Sequence, residues 1–298
     1  MTRWIAPSPL DRETLLAIAD KLRRADHVLI GAGAGMSVDA GIDYADEEYF
    51  AQRFPAMLQY GLRCQYQTIG FQDWNEAVQW GFLAEHVNAV RFESRPQPNY
   101  TQLRSLIGDK DHFVVTSNVD GMFAKSGFDE ERIYTPQGSY ALYQCLEPCS
   151  DQTWPFKPVI DRILPKIDPA TQAVTDPDLI PRCPACGGPA FLNVRGGSWF
   201  LESPQAVQRK RYVDWVNSTA DGTLLVIEIG SGFNTPGVIR WPMEQITDWH
   251  EQAYFVRVNA DYPQVPVSLA DRAIAIQARG RDVIAMLYAQ LQGDASAS

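Results

Sequence analysis

No stretch of this 298-residue chain stays apolar for the ~20 residues that a membrane-crossing helix needs. A helical membrane protein is therefore not expected. Basic residues are in deficit, with 26 Lys and Arg against 36 Asp and Glu and a formal charge of −10. No cationic excess exists to neutralise phosphates along a strand, which excludes nucleic acid as the main partner. Met1 to Leu10 lacks the continuous apolar centre of a secretory leader, so the expected location is the cytoplasm. Internal repeats are missing, which excludes a solenoid. Histidine is scarce. The residues His27, His86, His112 and His250 are the whole supply, so chemistry that needs an imidazole has four positions to draw on.

What is present begins with Gly31-Ala32-Gly33-Ala34-Gly35-Met36-Ser37, directly after the apolar run Val28-Leu29-Ile30. Glycine lets a chain leave a buried strand, turn tightly and bring backbone amides close to a pyrophosphate at the start of a helix. A tight strand-to-helix turn without a ligand is the plainer reading. Leu15, Leu16, Ile18, Ala19 and Leu22 recur at helical spacing, so a helix is expected over Asp11 to Arg24. Further helices are expected over Trp74 to Phe92, Pro98 to Ile107 and Asp282 to Gln292, with a frayed tail from Gly293. Strands are expected at His112–Thr116, Leu224–Ile229 and Tyr254–Val258. This alternation predicts an α/β fold, a Rossmann-like doubly wound parallel sheet. Ligands of such sheets gather at the carboxyl ends of the strands. The segment Tyr44 to Phe71, rich in aromatics, Gln and charge without a steady period, reads as a long loop with short helical pieces lying over the cleft.

After Gln144 the composition turns to Cys, Pro and Asp until about Phe191. The five cysteines include two close pairs, Cys145 with Cys149 and Cys183 with Cys186 in Cys-Pro-Ala-Cys-Gly-Gly. Four thiolates in this arrangement suit a closed, structural Zn2+ site, and Gly187 and Gly188 allow amides to turn toward sulfur. Reduced cysteines without metal are the alternative. The expected division is a dinucleotide-binding domain over 1–143 and 192–298 with a small zinc-binding insertion over 144–191. Cys64 has no partner in sequence and reads as a packing residue.

Three strand ends carry further polar groups: Asn118 and Asp120 in Thr-Ser-Asn-Val-Asp, Ser231 and Asn234 in Gly-Ser-Gly-Phe-Asn-Thr-Pro, and Asn259 in Val-Asn-Ala-Asp. Asn and Ser can hydrogen-bond ribose hydroxyls and a carboxamide, although singly each is more often a turn former or a cap. In order along the chain stand Gly33-Ala34-Gly35-Met36-Ser37, Ala40-Gly41-Ile42, Thr116-Ser117-Asn118-Val119-Asp120, Gln137-Gly138-Ser139-Tyr140, the two cysteine pairs and Gly230-Ser231. With this set the chain resembles the sirtuins from about Leu10 to Leu291. The resemblance implies NAD bound between a large and a small module, with cleavage of its nicotinamide–ribose bond. It places Gly33, Ala34, Gly35, Ser37, Asp39, Gly41, Asn118, Asp120, Gln137, Gly230, Ser231, Asn234 and Asn259 against the cofactor. It also makes Asn118 and Gln137 the candidate catalytic residues.

Two departures refine the resemblance. Lysine-deacylating sirtuins carry a basic His where this chain has Gln137, and a neutral amide cannot take that proton. They also continue from Gly-Ile into Pro-Asp-Phe-Arg, where this chain has Asp43-Tyr44-Ala45-Asp46 and no Arg. Tyr-Thr-Pro-Gln137-Gly138-Ser-Tyr, Cys-Gly-Gly-Pro and Asn193-Val194-Arg195 are more similar to the macrodomain-linked sirtuins, a class associated with mono-ADP-ribosylation of a lipoylated carrier protein. The resemblance thus implies a protein ADP-ribosyltransferase with such a carrier as candidate acceptor and a macrodomain hydrolase as candidate partner. Weak deacylation or NAD hydrolysis, and non-catalytic sensing of NAD or ADP-ribose, stand as alternatives. Arg195 is a candidate acceptor-side contact or a plain exposed arginine. Tyr44, Tyr49 and Phe50 are a candidate apolar cover or plain core, and Asp43 and Asp46 are either polar substitutes for the absent Arg or solvated loop acids.

Overall fold

The computed structural model describes residues 4–71 and 73–296. Its centre is a parallel sheet in the order Ala273–Ile276, Ala253–Val258, Leu224–Ile229, His27–Ala32, Asp111–Thr116 and Ile133–Tyr134. Strand side chains alternate between faces. Val28, Ile30 and Val114 accordingly pack with Leu15, Ile18 and Leu22 in one core, while Leu29, Phe113 and Val115 pack with Trp215 and Met243 in a second. Helix Arg12–Arg24 starts where Asp11 accepts the Thr14 amide at 2.9 Å, and of the predicted stripe it buries Leu15, Ile18, Ala19 and Leu22 while Leu16 stays exposed. The sheet is Rossmann-like and doubly wound, as expected.

A smaller antiparallel sheet runs in the order Thr153–Pro155, Gly138–Cys145, Ala190–Val194. Its core joins Tyr143, Phe156 and Leu192 to Phe50, Phe54 and Phe82, which arrive from the segment before it in sequence. The aromatic loop therefore folds as part of the small lobe, with short helices at Glu47–Arg53, Pro55–Tyr60 and Gln65–Thr68. Where one helix was expected over Trp74 to Phe92, an α-helix spans Glu76–Val87 and widens into a π-helical turn at Asn88–Glu93. Helix Ser203–Ser218 has no clean period to betray it, because it buries only Gln205, Trp215 and Val216. The last helix runs Gly280–Ser296, longer than expected and through the start of the predicted tail, of which residues 297 and 298 lie outside the described part. Among the described residues no helix is long and apolar enough to cross a membrane.

Candidate functional site

A cleft of about 580 Å³ opens across the carboxyl ends of the central strands. Gly33, Ala34, Gly35, Ser37 and Asp39 line it from the end of His27–Ala32, and Asn118 and Asp120 from the end of Asp111–Thr116. Gly230, Ser231, Asn234 and Asn259 close the same side, and Gln137 stands at the entry to the small sheet. Of the predicted site residues, Gly41 is not among those lining the cleft; it serves a turn at φ +81° facing open space. Tyr44 lines the cleft with Tyr66 and Ile69, whereas Phe50 is core and Tyr49 is exposed. Asp43 and Asp46 make local bonds to the amides of Ala45 and Tyr49.

The glycine turn differs from the sequence expectation in one respect. The Gly33 amide donates to Ile229 carbonyl oxygen at 2.9 Å and the Gly35 amide to that of Gly230 at 3.0 Å, so neither N–H is free for a pyrophosphate. These glycines instead permit close approach. A Cβ on Gly33 would lie 2.5 Å from Ser231 Cα, and one on Gly35 2.8 Å from Gly230 Cα. Gly230 itself has φ +66°, a left-handed conformation that favours glycine. The turn thereby locks two strand ends together and sets the floor of the cleft.

Several polar side chains are already partnered. Ser37 Oγ donates to Asp120 Oδ2 at 2.6 Å, while Asp120 Oδ1 accepts the Met122 amide at 2.8 Å. Asn118 Nδ2 donates to Gly33 carbonyl oxygen at 2.9 Å, which fixes the orientation of its amide beside the turn. Asn259 Nδ2 donates to the Ser231 carbonyl and its Oδ1 accepts the amides of Asp261 and Tyr262, so this side chain braces the cleft wall. Asp39 Oδ2 accepts the Arg281 amide at 3.0 Å, and burial pushes its carboxyl above the usual range.

Gln137 is the exception. Its backbone carbonyl takes the Arg195 amide at 3.0 Å, but its side-chain Oε1 is buried without any hydrogen-bond partner. A buried acceptor without a donor costs about 1–3 kcal/mol, so a ligand hydroxyl or amide is the natural group to satisfy it. Two tyrosines line the same cleft, Tyr44, a candidate cover from the sequence, and Tyr140, which sequence reasoning passed over: burial pushes the Tyr140 phenol up to about 12 and holds Tyr44 well above the usual range. Neither supplies a base near neutrality. Among the described residues no histidine lines the cleft. His86 lies behind it, with Nε2 3.1 Å from Tyr140 Oη, and desolvation lowers its pKa to about 4. Arg195 does line the cleft, paired with Glu202 at 2.6 Å.

In the small lobe the Sγ atoms of Cys145, Cys149, Cys183 and Cys186 all lie within 4.8 Å of one another. Cys145 and Cys186 are 3.7 Å apart and Cys149 and Cys183 are 3.6 Å apart. With Zn–S near 2.3 Å, a tetrahedron has S···S edges of about 3.8 Å, so the four thiolates fit zinc. The Gly188 amide approaches Cys186 Sγ at 3.4 Å, the contact expected of the glycine pair.

No family model matches the chain. It is 38% identical over 252 residues to a probable bifunctional ADP-ribose hydrolase/ADP-ribosyltransferase of Fusarium oxysporum, which covers 82% of this chain. It is 27% identical over 304 residues to a protein ADP-ribosyltransferase of Staphylococcus aureus, covering 99% of this chain and 93% of that one. The chain has the sirtuin fold. It spans only 42% of the length of the Fusarium relative. A solved Sir2 homologue in complex with NAD shares this fold at a TM-score of 0.60 and 16% identity, over 97% of both chains.

Proposed function

We propose that this protein is an NAD-dependent protein mono-ADP-ribosyltransferase. The observation that carries the reading is Gln137, a neutral amide with an unpaired buried acceptor, at the position where the sirtuin resemblance implies the basic His of lysine deacylases. The names borne by the Fusarium and Staphylococcus relatives support the same activity. When bound, NAD would supply an ADP-ribosyl group through breakage of its nicotinamide–ribose bond, the bonding pair leaving with nicotinamide. The acceptor nucleophile then bonds to ribose C1 and releases its proton to solvent. Gln137 Oε1 accepts a hydrogen bond from a ribose hydroxyl or from the acceptor and so orients it without removing a proton. Asn118, its amide fixed by Gly33, holds the nicotinamide side or the attacking group. Gly33, Ala34, Gly35, Ser37, Asp39, Asp120, Gly230, Ser231, Asn234 and Asn259 form the dinucleotide wall, either by contact or by bracing. The zinc-held insertion over 144–191 supports the entry to the site.

A lipoylated carrier protein is the proposed acceptor, and a macrodomain hydrolase that removes the modification is the proposed partner. Incubation with NAD labelled in the adenylate, with and without lipoylated carrier and acylated peptides, tests the whole reading. Label on protein together with free nicotinamide is expected. Free ADP-ribose or acyl-ADP-ribose without labelled protein would overturn transfer, and tight ADP-ribose binding without nicotinamide release would leave a sensor.

A further inference from the structure

Beneath the cleft floor lies a charged cluster that the reaction above does not use. Glu228 sits in the otherwise apolar strand Leu224–Ile229 directly opposite Arg257 of the neighbouring strand. Both side chains are fully buried, and Arg240 beside them is 1% exposed. Arg257 grips Glu228 Oε2 through Nη2 and through Nε at 3.0 Å. The other carboxylate oxygen, Oε1, accepts the hydroxyl hydrogen of Ser231.

The same guanidinia hold the far wall of the cleft. Arg257 Nη1 donates to Gln264 carbonyl oxygen at 2.5 Å, and Arg240 donates to the carbonyls of Tyr262 and Gln264 at 2.9 and 2.8 Å. Asn259 ties this loop back to the Ser231 carbonyl at 2.7 Å. Two cleft-lining segments, around Ser231 and around Tyr262, thus hang on one charged cluster, in which Glu228 is the fully buried carboxylate and Glu244, 2.8 Å from Arg257 Nη2, the less buried one.

Stability alone is a poor reason for this arrangement. A buried ion pair is commonly neutral, or even costs stability, relative to apolar residues of similar volume. What the carboxylate does supply is direction. Because the only proton of Ser231 Oγ is given to Glu228, that hydroxyl can meet a ligand only as an acceptor, which suits a ribose hydroxyl and disfavours a phosphate oxygen.

We infer that Glu228 is a positioning residue for the dinucleotide: it sets the polarity of Ser231 and the spacing of the two segments that flank the ligand. The inference rests on the NAD reading of the cleft and goes beyond it by assigning a residue outside the cleft. The test measures ADP-ribose binding by calorimetry on the full chain, with melting temperature alongside. The paired variant Glu228→Leu/Arg257→Met removes both charges together and is expected to melt within a few degrees of wild type while binding ADP-ribose about tenfold more weakly. Glu228→Gln, which keeps shape and an acceptor, serves as the second variant and is expected to show a smaller loss with KM for NAD raised more than kcat is lowered. Adding Ser231→Ala to the paired variant is expected to cost nothing further, although alone it weakens binding several-fold. Wild-type affinity in either folded variant, or an additive effect of Ser231→Ala, would overturn the inference while sparing the cofactor reading. No ADP-ribose binding by the wild-type chain would overturn both.

Discussion

Replacing Gln137 by methionine is expected to move stability and activity in opposite directions. The side-chain Oε1 of Gln137 is buried with no donor, a state that costs the free protein about 1–3 kcal/mol. Methionine has a similar length and no strong acceptor, so it removes that penalty while keeping most of the packing. For a chain of this size, each kcal/mol corresponds to about 1.5 °C in Tm, so a rise of about 1.5–5 °C is expected by scanning calorimetry. Turnover should move the other way. Loss of one hydrogen bond aimed at the reacting sugar or acceptor commonly costs about a hundredfold or more in kcat, measured as nicotinamide release and label on protein. Affinity for ADP-ribose should fall much less than turnover. A variant that melts lower and still turns over normally would refute both the orphaned acceptor and its role. Equal losses in affinity and kcat would mean that Gln137 only binds.

Three further outcomes are expected. His86 is buried with its pKa lowered to about 4, against about 6.5 unfolded, so the unfolded chain takes up the proton first. Its contribution is fully present above about pH 6.5 and is lost as pH falls toward 4, at most about 3 kcal/mol. Urea midpoints at several pH values should show that slope in wild type and not in His86→Phe; equal slopes would refute it. Metal analysis should find about one zinc per chain, and Cys183→Ser or a strong chelator should lower Tm and abolish it; an unchanged melt in metal-free protein would remove zinc from the fold. Gly33→Ala places a Cβ 2.5 Å from Ser231 Cα and 2.6 Å from Gly230 oxygen. Since both are backbone, overpacking should cost about 1–3 kcal/mol and ADP-ribose affinity together. A neutral alanine there would refute the close approach.

Much of the frame is legible in the sequence because it rests on local patterns. The apolar runs before Gly33, Gly230 and Asn259 are continuous enough to read as buried strands, and the cysteine pairs carry their ligand spacing on their face. One signal was available and passed over. In Leu224-Leu225-Val226-Ile227-Glu228-Ile229 an acid interrupts a run that must be buried on both faces, and a buried acid needs a partner. Tyr66 and Tyr140 carry no comparable mark, and Tyr44 reads equally as cover or core, since an aromatic residue in a mixed segment is as readily core as cleft.

The one-dimensional order of residues determined that this chain would build a parallel sheet with a glycine turn, polar strand ends and a four-thiolate cluster, because each follows from side-chain type and short-range spacing. Tertiary structure alone decided which of those polar groups remain open to a ligand. The amides of Gly33 and Gly35 are taken by Ile229 and Gly230, and the Asn259 side chain is taken by Ser231, Asp261 and Tyr262, while Gln137 Oε1 is left over. A hydrogen bond joins positions distant in sequence, so its occupancy is settled only when the strands are placed side by side.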